Sequence, residues 1–274
     1  MAPDRLTSGE PIDETAALLA TFRFAAVIGW RDFRASYRWY TYVGGWLVRV
    51  VAQAAFLASV GLLVGSESVA HRIAIGAACA SAATGALLAI PMATRERALG
   101  TAGLLVVSPA GLVPSMLGRA VDRLVDGGLM SATALVAVFA YLPEVRLLHP
   151  SSLLLPVLAM AMAYSSTCLA MTLAGVALLW PDARNLLSAS LTVPLTLLSG
   201  AVLPHELTGR LALLSHLLPL GNGVQGCRQL ALGDAAGALL PLLAEVLVGS
   251  VWLVAAIGSL RVTQSWATRR AGLV

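Results

Sequence analysis

Two ionisable residues interrupt long apolar stretches of this chain: Arg49, within residues 43–65, and Glu245, within residues 238–260. A charge set among apolar residues of membrane-crossing length is expensive and marks a candidate site. Arg49 is placed either to snorkel to lipid phosphates or to sit on a pathway. Glu245 reads as a proton or cation site, or as a cap for a neighbouring hairpin with Arg228 or Arg210 as its partner. The two lie at different depths, which argues against their pairing. Asp122 and Asp126 stand four apart with Arg119 and Arg123 alongside, the pattern of an ion-pair cluster. The hydroxyls of Thr84, Ser188, Thr192 and Thr196 add weak polarity to otherwise apolar segments.

Other chemistry finds little support. None of His71, His149, His205 and His216 has a second ligand or a serine at useful spacing, and HExxH, GxSxG and Asp-rich metal motifs are missing. Cys79, Cys168 and Cys227 are odd in number, far apart and form no CxxC, which argues against a disulfide framework or zinc site. All 18 basic residues are arginine. A Walker A loop needs a lysine for the β/γ-phosphates, so any ATP chemistry must come from a partner. No cofactor or metal is expected on this chain itself.

The elements that position these residues are membrane helices. The 274 residues are 58% hydrophobic and 12% charged, against about 45–50% and 25% in soluble domains. Six stretches reach the roughly 20 apolar residues a spanning helix needs: 43–65, 73–93, 127–142, 153–179, 186–203 and 238–260. None alternates with period two, as a barrel strand would. The first residues carry Glu10, Asp13 and Glu14 where a signal peptide would be apolar. With the N-terminus cytoplasmic, arginines 5, 23, 31, 34, 38, 95, 97, 119, 123, 184, 261, 269 and 270 fall inside, and 72, 146, 210 and 228 outside. This bias places both termini in the cytoplasm of a cell that holds the chain in its cytoplasmic membrane. The chain divides into a cytoplasmic arm and interface helix (1–42), a six-span core (43–260) and a cytoplasmic tail (261–274), all one membrane domain.

Nine of the 16 aromatic residues lie between Phe22 and Trp46. Leu19, Phe22, Ala26, Trp30, Phe33 and Tyr37 recur at three- and four-residue steps and line one helical face. Arg31, Arg34 and Arg38 fall mostly off it, as in a helix lying among lipid headgroups. Adjacency to a span argues against nucleic acid. Two connections are long. The inner one, 94–126, holds a short amphipathic helix after Glu96 and Arg97. The outer one, 204–237, is too apolar for a free loop and too broken for a span, which predicts a re-entrant helix hairpin packed on protein.

The inner connection resembles the coupling-helix region of ABC-2 type permeases, the membrane subunits of ATP-binding-cassette transporters, through Glu96, Arg97, Gly100, Thr101, Leu104, Leu105, Ser108 and Pro109. The outer one is similar to the drug-resistance and nodulation-type lipo-oligosaccharide export branches, through Leu198-Ser199-Gly200, Pro204, Pro219-Leu220 and Arg228. Many members have Asn before the second proline, where this chain has Leu218. The resemblance implies an all-α membrane fold of six spans, docking of a separate ATPase subunit carrying ATP and Mg at the coupling helix, a second permease subunit, and a pathway along the second and fifth spans. It also implies a non-catalytic subunit exporting an amphipathic drug, secondary metabolite or lipid-like cargo. Lipid-linked saccharide export, a proton-driven secondary transporter using Glu245 or Asp122, and a membrane enzyme are the competing readings.

Overall fold

The computed structural model describes residues 14–64, 67–108, 110–141, 150–201 and 215–270. Among these it contains helices and turns and no strand. Pro109 and Pro204, and with them the first limb of the predicted outer hairpin, lie outside the described residues.

Helix α1 (Glu14–Ser36) ends where Arg38 turns extended, and the chain re-enters a helical run, α2 (Trp39–Leu63). A π-helical segment over Tyr42–Leu47 carries the Gly44-Gly45 pair. Helix α3 (Glu67–Leu87) is followed after Leu88 by α4 (Ala89–Ala98). The break has a local cause: Pro91 has no N–H to give the Leu87 carbonyl. Short helices α5 (Thr101–Val107) and α6 (Leu112–Arg119) lead into α7 (Val121–Tyr141). Then come α8 (Leu154–Leu179), α9 (Arg184–Leu198), α10 (Gly221–Ala231) and α11 (Ala235–Arg270).

Among the described residues five helical runs are long and apolar enough to cross a membrane: Trp39–Leu63, Ser68–Ala98, Leu112–Ala140, Leu154–Leu179 and Ala235–Arg269. The fifth predicted stretch, 186–203, is shorter than expected, because α9 ends at Leu198 in a turn closed by Gly200 at φ 72°. The second span starts earlier than residue 73, so His71 and Arg72 are helical rather than in a loop. Residues 261–270, expected as tail, continue α11.

Helix α8 is central and packs against α11, α7, α3 and α4. Burial separates core from rim: 83% of the apolar window of α3–α4 and 72% of that of α8 lie inside, against 17% for α2 and 28% for α11. Two apolar clusters fill the bundle. One joins Cys79, Met130, Phe139, Leu158 and Met162; the other joins Ile90, Met116, Met171, Leu195 and Leu260. Between helices in lipid the hydrophobic effect is weak, and close approach of small residues and hydrogen bonds hold the contacts. Both devices are present. A Cβ on Gly85 would lie 2.7 Å from the Gly127 Cα, so α3 and α7 cross backbone to backbone there.

The α8–α11 seam is laced by hydroxyls. Ser165 donates to Glu245, Thr172 to the Trp252 carbonyl at 3.2 Å, Ser259 to the Thr172 carbonyl at 2.8 Å and Thr263 to the Gly175 carbonyl at 2.9 Å. Partners advance together along both chains, so the two helices run parallel. Gly85→Leu is expected to lower stability by about 1–3 kcal/mol through overpacking of the α3–α7 crossing. Thermal unfolding in detergent measures it, and an unchanged midpoint would refute the tight crossing.

Candidate functional site

Arg119, at the end of α6, is the hub of the arginine-rich pole. Its guanidinium pairs with the nearly buried Glu96 of α4 and reaches Asp32 of α1 at 3.4 Å. Glu96 also accepts a 2.5 Å hydrogen bond from the Thr101 hydroxyl, which donates to the Glu96 carbonyl as well. Three chain segments thus meet on one carboxylate and one guanidinium, whose planar fork suits two acceptors at once. Glu96 therefore faces inward, and Arg97 donates to the Leu178 carbonyl at the end of α8, where a cation complements the helix dipole. Gly100 makes the turn between α4 and α5 at φ 76°, a conformation that favours glycine.

The outward part of this segment is apolar. Leu104 is 70% exposed, while Leu105 packs against the second cluster. Ser108 is extended at the end of α5. A groove of about 580 Å³ runs between α1 and α5–α6, lined by Phe24, Ile28, Thr101, Leu104, Leu105 and Ser108 with the Glu96–Arg119 pair at its base. A second groove of about 440 Å³ lies on the other side of α1, bounded by α6 and by Arg261 and Gln264 of α11. Gln264 accepts from the Leu112 N–H at 3.1 Å and so caps α6 from the extension of α11.

Helix α1 seats one face on the bundle and leaves another outward. Its buried face centres on Ala25, Gly29 and Phe33, whereas Leu19 and Trp30 are exposed. Close approach selects the small residues: a Cβ on Gly29 would stand 3.1 Å from the Arg119 carbonyl oxygen. Trp30 stacks on Phe33, and Tyr37 packs edge-on against Tyr42 and Trp46. Arg31 and Arg34 are exposed, and Arg38 donates to the Tyr40 hydroxyl at 2.9 Å. Arg49 lies over the Trp46 ring at 5.7 Å, a cation–π contact that extends the aromatic cluster.

The predicted aspartate cluster forms with one change of partner. Arg123 meets Asp122 at 2.9 Å and Asp126 at 3.7 Å, while Arg119 turns to Glu96 and Asp32 instead. Asp126 accepts a 2.7 Å hydrogen bond from Tyr42, and Arg123 also lies over the Phe33 ring. This second knot ties α7 to the start of α2 and to the arm.

Glu245 is fully buried near the opposite pole. One carboxylate oxygen accepts from the Ser165 hydroxyl and, at 2.9 Å, from the Leu220 N–H; the other accepts from the Gly223 N–H at 3.0 Å. The carboxylate caps the N-terminus of α10, where free amides and the helix dipole favour negative charge. Leu220, buried at φ 79°, makes the turn that aims those amides. The limb leading to it runs beside α11: the carbonyl of exposed Leu217 accepts from the Trp252 indole at 3.0 Å, seven residues along α11 from Glu245, and the chain becomes buried at Pro219. Arg228 donates to the Gly200 carbonyl at 2.7 Å, joining α10 to the end of α9.

The candidate pathway hydroxyls bond along their own helices: Thr84 to Ala80, Ser188 to Asn185, Thr192 to Ser188 and Thr196 to Thr192. Cys79, Cys168 and Cys227 are free and buried. Among the described residues no three His, Cys, Asp or Glu side chains converge as a metal site would require. Asp32, Tyr42, Ser165 and Gln264 are the site residues that pattern reading missed. The seven-residue spacing of Ser165 and Thr172 against Glu245, Trp252 and Ser259 is the one signal that could have pointed to the seam. The chain matches no known family model and no curated protein sequence.

Arg119→Ala is expected to cost about 1–3 kcal/mol by leaving Glu96 unpaired, and to make the α1–α2 junction more susceptible to limited proteolysis. Arg119→Lys should restore only part of this, lacking the fork. Glu245→Ala and Glu245→Gln should differ in amide hydrogen exchange. Alanine frees both Leu220 and Gly223, whereas glutamine keeps its oxygen for Leu220 and sets an NH2 against Gly223, so only Gly223 exchanges faster. Equal protection of both amides in all three proteins would overturn the clamp.

Proposed function

We propose that this chain is the membrane-spanning permease subunit of an ATP-driven exporter. It crosses the cytoplasmic membrane six times with both termini in the cytoplasm. A separate nucleotide-binding subunit holds ATP and Mg and docks at the arginine-rich pole, and a second permease subunit completes the pathway. The cargo is an amphipathic drug, secondary metabolite or lipid-like molecule. The chain itself is a non-catalytic transport subunit.

The observation that carries docking is the Arg119 hub. It fastens the arm and the Glu96–Arg119 segment into one body beside a groove of about 580 Å³ with exposed Leu104 on its wall. Exposed apolar side chains at such a place invite a partner. A force applied to α5 passes into α4 and α6 through Thr101–Glu96–Arg119 rather than dissipating in a loose loop. Parallel α8 and α11 support the sixth crossing, because the chain between them must return across the bundle. Helix α9 begins just beyond the Arg97 end of α8 and finishes at Leu198, with the following Gly200 bonded to Arg228. Its 15 residues cover roughly 22 Å at 1.5 Å each, and Ser199–Ala201 extend it.

The three backbone and hydroxyl donors on Glu245 favour a structural clamp over a proton carrier. The test is to co-purify the chain with the products of neighbouring genes and assay ATP hydrolysis and transport. An associated ATPase is expected. If no ATPase subunit associates and an uncoupler alone abolishes transport, the proposal fails. Gly100→Pro demands φ near −65° where the turn has 76°; together with Glu96→Ala it should lower transport-coupled ATPase about tenfold while circular dichroism stays unchanged. Wild-type coupling in both would displace the docking site from this segment.

A further inference from the structure

A crevice of about 340 Å³ opens between α2, α3 and α7, away from both poles' charge networks and from the grooves beside α1. Its size lies at the lower end of small-molecule sites. Ala54, Ala70 and Ala74, all nearly buried, form its floor. Along α2 the lining runs from Val51 to Leu62, eleven residues or about 16 Å. The hydrocarbon core of a bilayer is about 30 Å thick, so the crevice has the depth of one leaflet. Among the described residues its polar lining consists of Ser59 and His71, both towards the same end, and the exposed Arg72 follows His71 in the chain.

The gap cannot close by drawing α2 inward. The helices already touch beside it, where a Cβ on Gly61 would stand 2.6 Å from the Ala70 Cα. Alanine side chains below that contact are too short to fill the space left. An apolar slot without partner atoms forfeits dispersion contacts along its whole lining. Helix α2 is among the least buried of the long helices, so the slot faces the hydrocarbon, whose acyl chains are the nearest filler. A tube that is alkyl along its length and basic at one rim matches one acyl chain joined to a phosphate.

We propose that this crevice is a binding site for one acyl chain of an anionic phospholipid from the leaflet at its His71 end, with the phosphate against His71 and Arg72. It rests on α2, α3 and α7 crossing a membrane, and not on the ATPase partner. The site holds a resident lipid in a fixed place, which keeps α2 at its distance from the core.

The probe is phosphatidylglycerol bearing a diazirine in its acyl chain, in phosphatidylcholine vesicles containing the full chain. Peptide mass spectrometry after irradiation should find label on residues 51–62 and 70–74 about tenfold above the lipid-facing stripe at Leu243 and Leu247. Unlabelled phosphatidylglycerol should compete and phosphatidylcholine should not. Ala55→Trp, which fills the slot from its exposed rim, should bring labelling down to the level of the stripe, and Ser59→Leu is a second filler should the first fail to fold. The double variant His71→Ala with Arg72→Ala should abolish the preference for the anionic lipid. Crevice labelling no higher than the stripe, labelling unchanged in a correctly folded filled variant, or an anionic preference surviving the double variant overturns the assignment. Absence of label together with disulfide formation between chains carrying Ala55→Cys gives the crevice to a second copy and also overturns it.

Discussion

A single buried carboxylate sets the arrangement of the half of the bundle far from the Arg119 hub. Glu245 has no exposure, and water cannot stabilise its charge. Two backbone amides and a hydroxyl do so instead. That requirement fixes three elements at once. Helix α8 must present Ser165, the limb before α10 must dip far enough for Leu220 and Gly223 to face inward, and Leu220 must accept a left-handed backbone to make the turn. In hydrocarbon an unpaired amide or carboxylate costs several kcal/mol, so these partners stay together.

The other pole solves a different problem with a different device. There the difficulty is to hold short helices, α4 to α6, which have too few residues to be stable alone. Arg119 links them through Glu96 and reaches the arm through Asp32, and Gln264 caps α6 from a distant helix. Asp122, Arg123, Asp126 and Tyr42 tie the same arm to α7 from beneath. Beside these polar knots Leu104 and Phe24 stand outward, interspersed with exposed charges such as Arg31 and Arg34.

Much of this was legible in the sequence because hydrocarbon imposes a simple code. Runs of apolar residues located the long helices to within a few residues at most ends, and the Asp122–Asp126 spacing announced its cluster. Composition does not encode which face of a helix meets which neighbour, and there the reading slipped. Trp30 stands on the apolar stripe of α1, but the pattern does not say which residues meet protein: the approach of α6 selects Ala25 and Gly29, since only small residues admit a backbone at 3.1 Å. Arg119 was legible as a member of a charged pair but not as the partner of Glu96, which is remote in sequence. Glu245 read as a proton site and as a cap; three donors from two distant chain segments distinguish these, and no local pattern contains them. The end of α9 misled because Leu-Ser-Gly continues an apolar run while Gly200 turns the backbone.

Helix α11 is 36 residues long and is gripped near both ends. Glu245 holds it at one pole and Gln264 seats against α6 at the other, nineteen residues or about 28 Å away. Between the grips there is no proline or turn, only continuous helix bonded sideways to α8. Such a strut does not stretch or shorten, because its hydrogen bonds fix its rise. Displacing α6 therefore changes the strut's tilt or its rotation about its own axis, and the α10 turn at the far end must follow. The two faces of the protein are geared to each other by one rod.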